Sequence, residues 1–130
     1  VFLANRTPER AQQLAEHWTT EAIPVSGGGY REVPAEAWDV IINGTSTGLS
    51  NEMPALSSSM AFAPQCRGYD MAYGHAPTPF MMWARAHGVV EVLDGLGMLV
   101  EQAAESFFLW RGDYPETTPV VSSLRAASGG

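Results

Sequence analysis

Residues 1–18 read VFLANRTPERAQQLAEHW, and this stretch decides the fold class. Its first four residues are apolar, which predicts a short buried strand. Thr7 is a typical N-cap and Pro8 a typical first helical residue, so a helix is expected to follow the strand directly. Four apolar side chains recur at helical spacing and would form one face of that helix: Ala11, Leu14, Ala15 and Trp18. A strand that passes straight into an amphipathic helix is typical of a parallel α/β sheet.

The same alternation continues along the chain. Further strands are predicted at 23–26 (ended by the glycines 27–29), 39–43, 67–71 and 89–93. Helices are predicted from Pro79 to Gly88, from about Gly97 to Trp110 and near 120–126, with residues 44–65 mostly loop. The longest helix would carry one apolar stripe, formed by Leu99, Ala103, Phe107 and Trp110.

The composition is typical of a folded domain and argues against some classes of binding partner. The chain has 130 residues, 45% of them hydrophobic, with seven arginines, no lysine and a net charge of −7. This acidic balance argues against nucleic acid and anionic membranes as partners. No apolar run approaches the ~18 residues that a membrane span needs. The single Cys66 excludes an internal disulfide and fits a reducing compartment, so we expect a cytoplasmic protein. Because a domain rarely begins within a strand, we also expect further chain before Val1.

The segment between the first strand and the first helix, Asn5 to Arg10, is a candidate phosphate site. In dinucleotide-binding folds an acidic residue at such a strand end binds the free ribose 2′-hydroxyl of NAD, whereas arginine accommodates the 2′-phosphate of NADP. Here Arg6 and Arg10 could turn toward one phosphate, and Thr7 could add a hydrogen bond at the helix N-terminus. Alternatively, Thr7 only caps the helix and the arginines are solvated.

Other polar residues follow later predicted strands. Residues 43–49, NGTSTGL, come after a buried strand, where ligands bind in open α/β sheets, although on this segment alone a simple strand-end turn is the better explanation. Gly95-Leu96-Gly97 is a weak match to the phosphate-binding fingerprint, because Val100 occupies the place of the third glycine. Tyr73 and Gln102 could each bind a ligand through a hydrogen bond, but packing and solvent exposure are the ordinary roles of such residues. Ser46 lacks a nucleophile elbow, and no metal site is predicted, since the three histidines lack metal-ligand spacing: His17, His75 and His87.

Taken together, four motifs resemble the shikimate dehydrogenase family. They are NRTPERA at 5–11, INGTSTGL at 42–49, DMAYGHAPTPF at 70–80, and DGLGMLVEQAAESFFLWRG at 94–112. The resemblance covers nearly the whole chain, and the last motif is long enough to be highly specific. It implies an NADP-dependent oxidoreductase that interconverts 3-dehydroshikimate and shikimate in aromatic amino-acid biosynthesis.

The resemblance also implies roles for individual residues. The adenosine 2′-phosphate of NADP would be bound by Asn5, Arg6, Thr7 and Arg10. Thr45 and Ser46 would line the dinucleotide cleft, and Met71 and Gly95 would approach the nicotinamide. Tyr73 would contact the substrate carboxylate and Gln102 a ring hydroxyl. The chain departs from the family at Gly44, where alanine is usual, and at Gly68 and Tyr69, where β-branched residues are usual; neither departure removes a ligand group.

The resemblance further implies what this chain lacks. The family's substrate domain with its catalytic Lys–Asp pair, the first Rossmann strand and the glycine-rich loop all precede the matched region, so no catalytic residue is expected here. Residues 1–93 would form an incomplete Rossmann-like NADP-binding domain, and 94–130 a helical segment that packs back toward the substrate domain. The protein would be a monomer or homodimer. Two alternatives remain: a quinate/shikimate-type relative, and a non-catalytic dinucleotide-binding module.

Overall fold

A computed structural model describes residues 1–46 and 52–127 of the chain. Strands and helices follow one another along the chain in the order that the sequence predicts. Two compact units are present: Val1–Trp38 with Met53–Ala63, and Asp39–Glu52 with Pro64–Gly130. The elements in chain order are β1 (Phe2–Asn5), α1 (Pro8–Trp18), β2 (Ser26–Gly29), β3 (Ala37–Asn43), β4 (Ala61–Asp70), α2 (Pro79–Ala86), β5 (Glu91–Leu93), α3 (Leu96–Arg111) and α4 (Thr118–Ala127).

The first unit contains a two-stranded parallel sheet covered by α1. β1 pairs with β2 in a register that sets Asn5 opposite Gly29. The predicted strand at 23–26 is wrong, because the glycine run itself forms β2. The reason is steric: a Cβ at Gly27 would lie 2.3 Å from the Ala11 carbonyl oxygen, so only glycine lets α1 rest on this strand.

The apolar face predicted for α1 is only partly buried. Ala11 and Ala15 are buried, whereas Leu14 and Trp18 are about half or more exposed (49% and 63%). The two alanines are short enough to lie against the glycine strand, and that close approach leaves the two larger side chains outside the contact.

The second unit contains the sheet β3-β4-β5, in which β4 is central and pairs with β5 in parallel. Its core combines the centre of β4 with the inner faces of α2 and α3. The residues buried there include Cys66, Phe80, Ala84, Val92, Leu96 and Val100. Burial raises the pKa of the Cys66 thiol, and the charge of Asp39 raises it further. The prediction of a parallel α/β fold with a helical C-terminal segment is thereby confirmed.

The helix boundaries agree closely with the predicted ones. α2 starts after Thr78, whose hydroxyl accepts a hydrogen bond from Met81 N, and the chain turns at Gly88 with a φ of +85°. α3 ends at Gly112 in the left-handed conformation that favours glycine. No helix among the described residues is both long and apolar enough to cross a bilayer.

The stripe predicted for α3 does not form the buried face. Leu96, Val100 and Ala104 are buried instead, and Trp110 is 81% exposed. Three members of the predicted stripe, Leu99, Ala103 and Phe107, line an apolar groove of about 380 Å³ shared with α4.

Candidate functional site

In the first unit, the end of β1 and the start of α1 form a turn organised by Asn5. The Asn5 Oδ1 atom accepts a hydrogen bond from Thr7 N at 2.9 Å. Thr7 occupies the N-cap with an extended backbone, but its side chain makes no capping hydrogen bond. The interpretation of Thr7 as only a helix cap is therefore not supported, and its hydroxyl remains available beside the helix N-terminus.

Two guanidinium groups flank this turn. Arg6 and Arg10 are exposed, and neither forms an ion pair with any residue in 1–46 or 52–127. Two such cations next to a helix N-terminus create a positive site that suits a phosphate monoester.

Sequence reasoning missed an acidic side chain near this turn. Glu32 Oε2 accepts a hydrogen bond from Gly29 N at 2.6 Å, and Gly29 is the register partner of Asn5. The carboxylate is thus committed to the end of β2. No sequence signal points to it, because Glu32 reaches back across a turn that follows the glycine strand.

In the second unit, a buried polar junction lies at the carboxyl end of β3 and β4. Asp70 is fully buried, and its Oδ1 accepts hydrogen bonds from Asn43 Nδ2 at 3.1 Å and from Ala72 N at 3.0 Å. Its other oxygen, Oδ2, accepts a hydrogen bond from the hydroxyl group of Thr78, the N-cap residue of α2. One carboxylate therefore joins the ends of both strands to the start of α2. In the sequence, Asn43 and Asp70 occur within the quoted motifs, but no role was predicted for either residue.

The predicted cleft residue Thr45 belongs to this junction. Its backbone N and its Oγ1 both donate to Asn43 Oδ1, at 3.1 and 2.7 Å. Ser46 follows and is exposed. The remainder of that motif, Thr47, Gly48 and Leu49, lies outside the described residues.

Met71 lies between two glycines that were identified separately in the sequence. A Cβ at Gly95 would be 2.1 Å from the Met71 carbonyl oxygen, and one at Gly44 would be 3.1 Å from Met71 Sδ. Gly95 N also donates to Ala72 O at 3.0 Å, which fixes the start of α3 against the turn after β4. Glycine at 44 therefore leaves space for the Met71 side chain, which is 45% exposed, and glycine at 95 lets the start of α3 approach the Met71 backbone.

The two predicted substrate residues are both accessible. Tyr73 is 53% exposed, and its hydroxyl has no partner within the described part of the chain. Gln102 is exposed and lies about two turns along α3 from Gly95, on the same side of the helix. Neither side chain contributes to the core, so the packing role that the sequence left open for Tyr73 does not apply.

Asp94 is a further residue that sequence reasoning missed. Its Oδ1 accepts a hydrogen bond from Leu96 N at 3.2 Å, and both oxygens contact the guanidinium of Arg125 on α4. Burial acts to raise the pKa of Asp94, but the Arg125 hydrogen bond and charge, together with Leu96 N–H, outweigh it and hold that pKa below its ordinary value. The aspartate immediately before a glycine and a helix is the signal that could have identified it.

The side chains for acid–base or metal chemistry are sparse. The sequence contains no lysine, and the described residues contain no group of three or more His, Cys, Asp or Glu side chains able to hold a metal ion. Among the described residues, two surfaces could bind a ligand: the turn after β1 with its two arginines in the first unit, and the strand ends beside Gly44 and Gly95 in the second.

Comparison with known proteins agrees with the motifs. The sequence profile of a family described as "Shikimate 5'-dehydrogenase C-terminal domain" matches residues 95–125. Over 125 residues, 96% of this chain, the sequence is 50% identical to the shikimate dehydrogenase (NADP(+)) of Alkalilimnicola ehrlichii. Over nearly its whole length, this chain is similar in sequence to shikimate dehydrogenases. It spans about half the length of the curated relatives it matches, 45% in this case.

Solved structures of similar fold include shikimate dehydrogenases. The shikimate 5-dehydrogenase of Thermus thermophilus, in complex with NADP(H) and shikimate, superposes with a TM-score of 0.73 at 30% identity over 98% of this chain and 46% of that one. An Ael1 enzyme from Pseudomonas putida superposes with a TM-score of 0.82 at 35% identity, over 95% of this chain and 44% of that one. These likenesses confirm the Rossmann-like fold class predicted from the shikimate dehydrogenase motifs.

Proposed function

We propose that this chain is the NADP-binding half of an enzyme that interconverts 3-dehydroshikimate and shikimate. The observation that carries the proposal is the 50% identity to a shikimate dehydrogenase (NADP(+)) over 96% of the chain. When bound, NADP would supply the hydride chemistry, and the protein would supply orientation and electrostatics.

The first unit would select the cofactor. Arg6 and Arg10, with the hydroxyl of Thr7 and the turn held by Asn5, would bind the adenosine 2′-phosphate. Support comes from the absence of an ion pair for either arginine within the described residues and from the uncommitted Thr7 hydroxyl. A dianionic phosphate at a helix N-terminus gains from both cations and from the helix dipole.

The second unit would shape the nicotinamide end of the cleft. Thr45 and Ser46 would line the dinucleotide cleft, while Met71 and Gly95 would approach the nicotinamide. Support comes from the contact between Gly95 and the Met71 backbone, which leaves no room for a side chain at position 95. Tyr73 would hold the substrate carboxylate and Gln102 a ring hydroxyl, in keeping with their exposure.

The remaining half of the enzyme would supply the acid–base pair, because no lysine occurs in this sequence. We propose that residues 1–93 form the cofactor domain and that 94–130 pack back toward the substrate domain. The apolar groove between α3 and α4 and the exposed Trp110 support this, since such a surface is costly to leave in water. The complete enzyme would be a cytoplasmic monomer or homodimer.

The test compares this chain alone with a fusion enzyme, in which the part of the Alkalilimnicola ehrlichii relative that the chain does not match is joined before Val1. We expect shikimate-dependent NADP reduction by the fusion enzyme and none by the chain alone. The complete relative is the positive control. Turnover of quinate in place of shikimate would favour the quinate/shikimate-type alternative. NADP binding without turnover of either would favour the non-catalytic module.

Substitution of Tyr73 and Gln102 tests the substrate site. In the fusion enzyme, Tyr73→Phe and Gln102→Ala are each expected to lower kcat/KM for shikimate about five- to a hundredfold, since each removes a hydrogen bond worth roughly 1–3 kcal/mol. The Kd for NADP and the melting temperature should change little, because both side chains are exposed. Unchanged shikimate kinetics in both variants would contradict the assignment of a substrate site to this chain.

A further inference from the structure

Helix α4 is joined to the carboxyl edge of the second sheet by one bidentate ion pair. Arg125 Nη1 donates to Asp94 Oδ2 at 2.6 Å, and Nη2 donates to Oδ1 of the same carboxylate. No residue of α4 is buried. The pair therefore gives α4 a directed attachment that its apolar contacts with α3 do not provide.

The Asp94 end of the pair is the more constrained. Its side chain is 6% exposed, against 48% for Arg125. The same carboxylate accepts the N–H of Leu96, the first residue of α3, while Gly95 N is bonded to Ala72 O. The start of α3 is thus fixed on one side by the turn after β4, and on the other by a carboxylate whose orientation Arg125 sets.

Loss of the arginine would change this arrangement. A carboxylate that is 6% exposed and has lost its cation must either move toward water or take up a proton. Either change alters its bond to Leu96 N–H, and the first turn of α3 then loses one of its two anchors. Because a helix moves largely as a rigid body, a shift at Gly95 is carried to Gln102 about two turns further on.

We propose that Arg125 is a positioning residue that, by orienting Asp94, sets the start of α3 and hence the place of Gln102 at the substrate. The inference rests on the proposed function, because it deepens the role given there to Gln102. In this proposal, Arg125 would contact neither the substrate nor the cofactor.

The chain contains a matched control for this pair. Arg67 Nε lies 3.2 Å from Glu91 Oε2, and both side chains are largely exposed (74% and 50%). Arg67→Gln therefore makes the same chemical change on the same sheet, but in a solvated ion pair that anchors no helix start. Exposed pairs of this kind contribute little to stability.

The experiment measures the steady-state kinetics of the fusion enzyme and its variants. Each variant is assayed at about 20 °C below its own melting temperature. We expect Arg125→Gln to lower kcat/KM for shikimate about tenfold or more, since a misplacement of about 1 Å can cost about 100-fold. The Kd for NADP should stay within about twofold, and Arg67→Gln should behave as wild type. Arg125→Lys, which keeps the charge but not the fork of two donors, should be intermediate.

A double-mutant cycle separates positioning from general stabilisation. If Arg125 acts through Gln102, Gln102→Ala with Arg125→Gln should be no more than about twofold worse than Gln102→Ala alone. Fully additive losses, or an Arg125→Gln enzyme no worse than Arg67→Gln, would overturn the proposal. The proposal would also be overturned if the loss of kcat/KM for shikimate in each variant simply followed the decrease in its melting temperature.

Amide hydrogen exchange gives a readout independent of turnover. In the fusion enzyme, Arg125→Gln should speed exchange at Leu96 N–H relative to wild type, whereas Arg67→Gln should not. This result would still support the Asp94 anchor if wild type failed to oxidise shikimate, in which case only the proposed function and the role of Gln102 would fall. Unchanged exchange at Leu96 would overturn the anchor itself.

Discussion

Replacing both Arg6 and Arg10 with alanine in the fusion enzyme is expected to lower kcat/KM for NADP by about 100-fold or more. Each arginine would make a charge-assisted contact worth roughly 1.5–3 kcal/mol, and about 1.4 kcal/mol corresponds to tenfold. The wild type should prefer NADP to NAD by at least about tenfold, and the double variant should lose that preference because NAD carries no 2′-phosphate. The measurement is kcat/KM for each cofactor at saturating shikimate.

Arg111→Ala is the matched control for this experiment. Arg111 is an exposed cation in the last turn of α3, far along the sequence from the turn after β1. Arg111→Ala removes one positive charge, half of the change in the double variant, so it measures the general attraction per cation between the protein and a phosphate. Equal losses with NADP and NAD in the double variant would contradict the assignment of the first-unit turn to the 2′-phosphate.

Gly95→Ala should be among the most damaging small substitutions in the chain. Its Cβ would lie 2.1 Å from the Met71 carbonyl oxygen and 2.7 Å from the carbonyl carbon, so backbone must move. Overpacking of this kind typically costs about 1–3 kcal/mol, and the displaced backbone belongs to the proposed nicotinamide surface. We expect a melting temperature lower by several degrees and a loss of kcat in the fusion enzyme of at least about tenfold.

The control lies two residues away. A Cβ at Gly97 would meet nothing within 4 Å, and Gly97 is inside α3. Gly97→Ala should therefore stabilise the enzyme by about 0.5–1 kcal/mol through the helix preference of alanine. A melting temperature that falls in Gly95→Ala and rises in Gly97→Ala would support the close approach at Gly95. Changes of the same sign and size in the two variants would contradict it.

Local patterns predicted the elements well and their burial less well. The start of α1 after Thr7 and the turn at Gly88 follow from backbone preferences that act within a few residues. The buried face of α3 could not be chosen in this way, because apolar residues occur on more than one side of that helix. Tertiary contact selects Leu96, Val100 and Ala104 over the equally apolar stripe that includes Trp110.

Two features of the structure depend on contacts between residues distant in sequence. β2 is made of residues with poor strand preference, and it exists because α1 needs a strand without side chains at Gly27. Asn43 and Asp70 are 27 positions apart and become partners only after β3 and β4 pair. The motifs contain Met71 and Gly95 and also Asp70 and Asp94, but the distant partners of the two carboxylates, Asn43 and Arg125, could not be predicted from local sequence.

The fully buried carboxylate of Asp70 has a consequence for how a ligand meets this edge. The two carboxylate oxygens accept hydrogen bonds from Asn43, from Ala72 N–H and from the Thr78 hydroxyl. They thereby connect the ends of two strands and the start of a helix. Those three segments therefore have little separate freedom before any ligand arrives. A dinucleotide that binds there would lose less affinity to ordering the protein, because folding has already met that entropic cost. Affinity at this edge would depend on shape set in advance rather than on closure around the ligand.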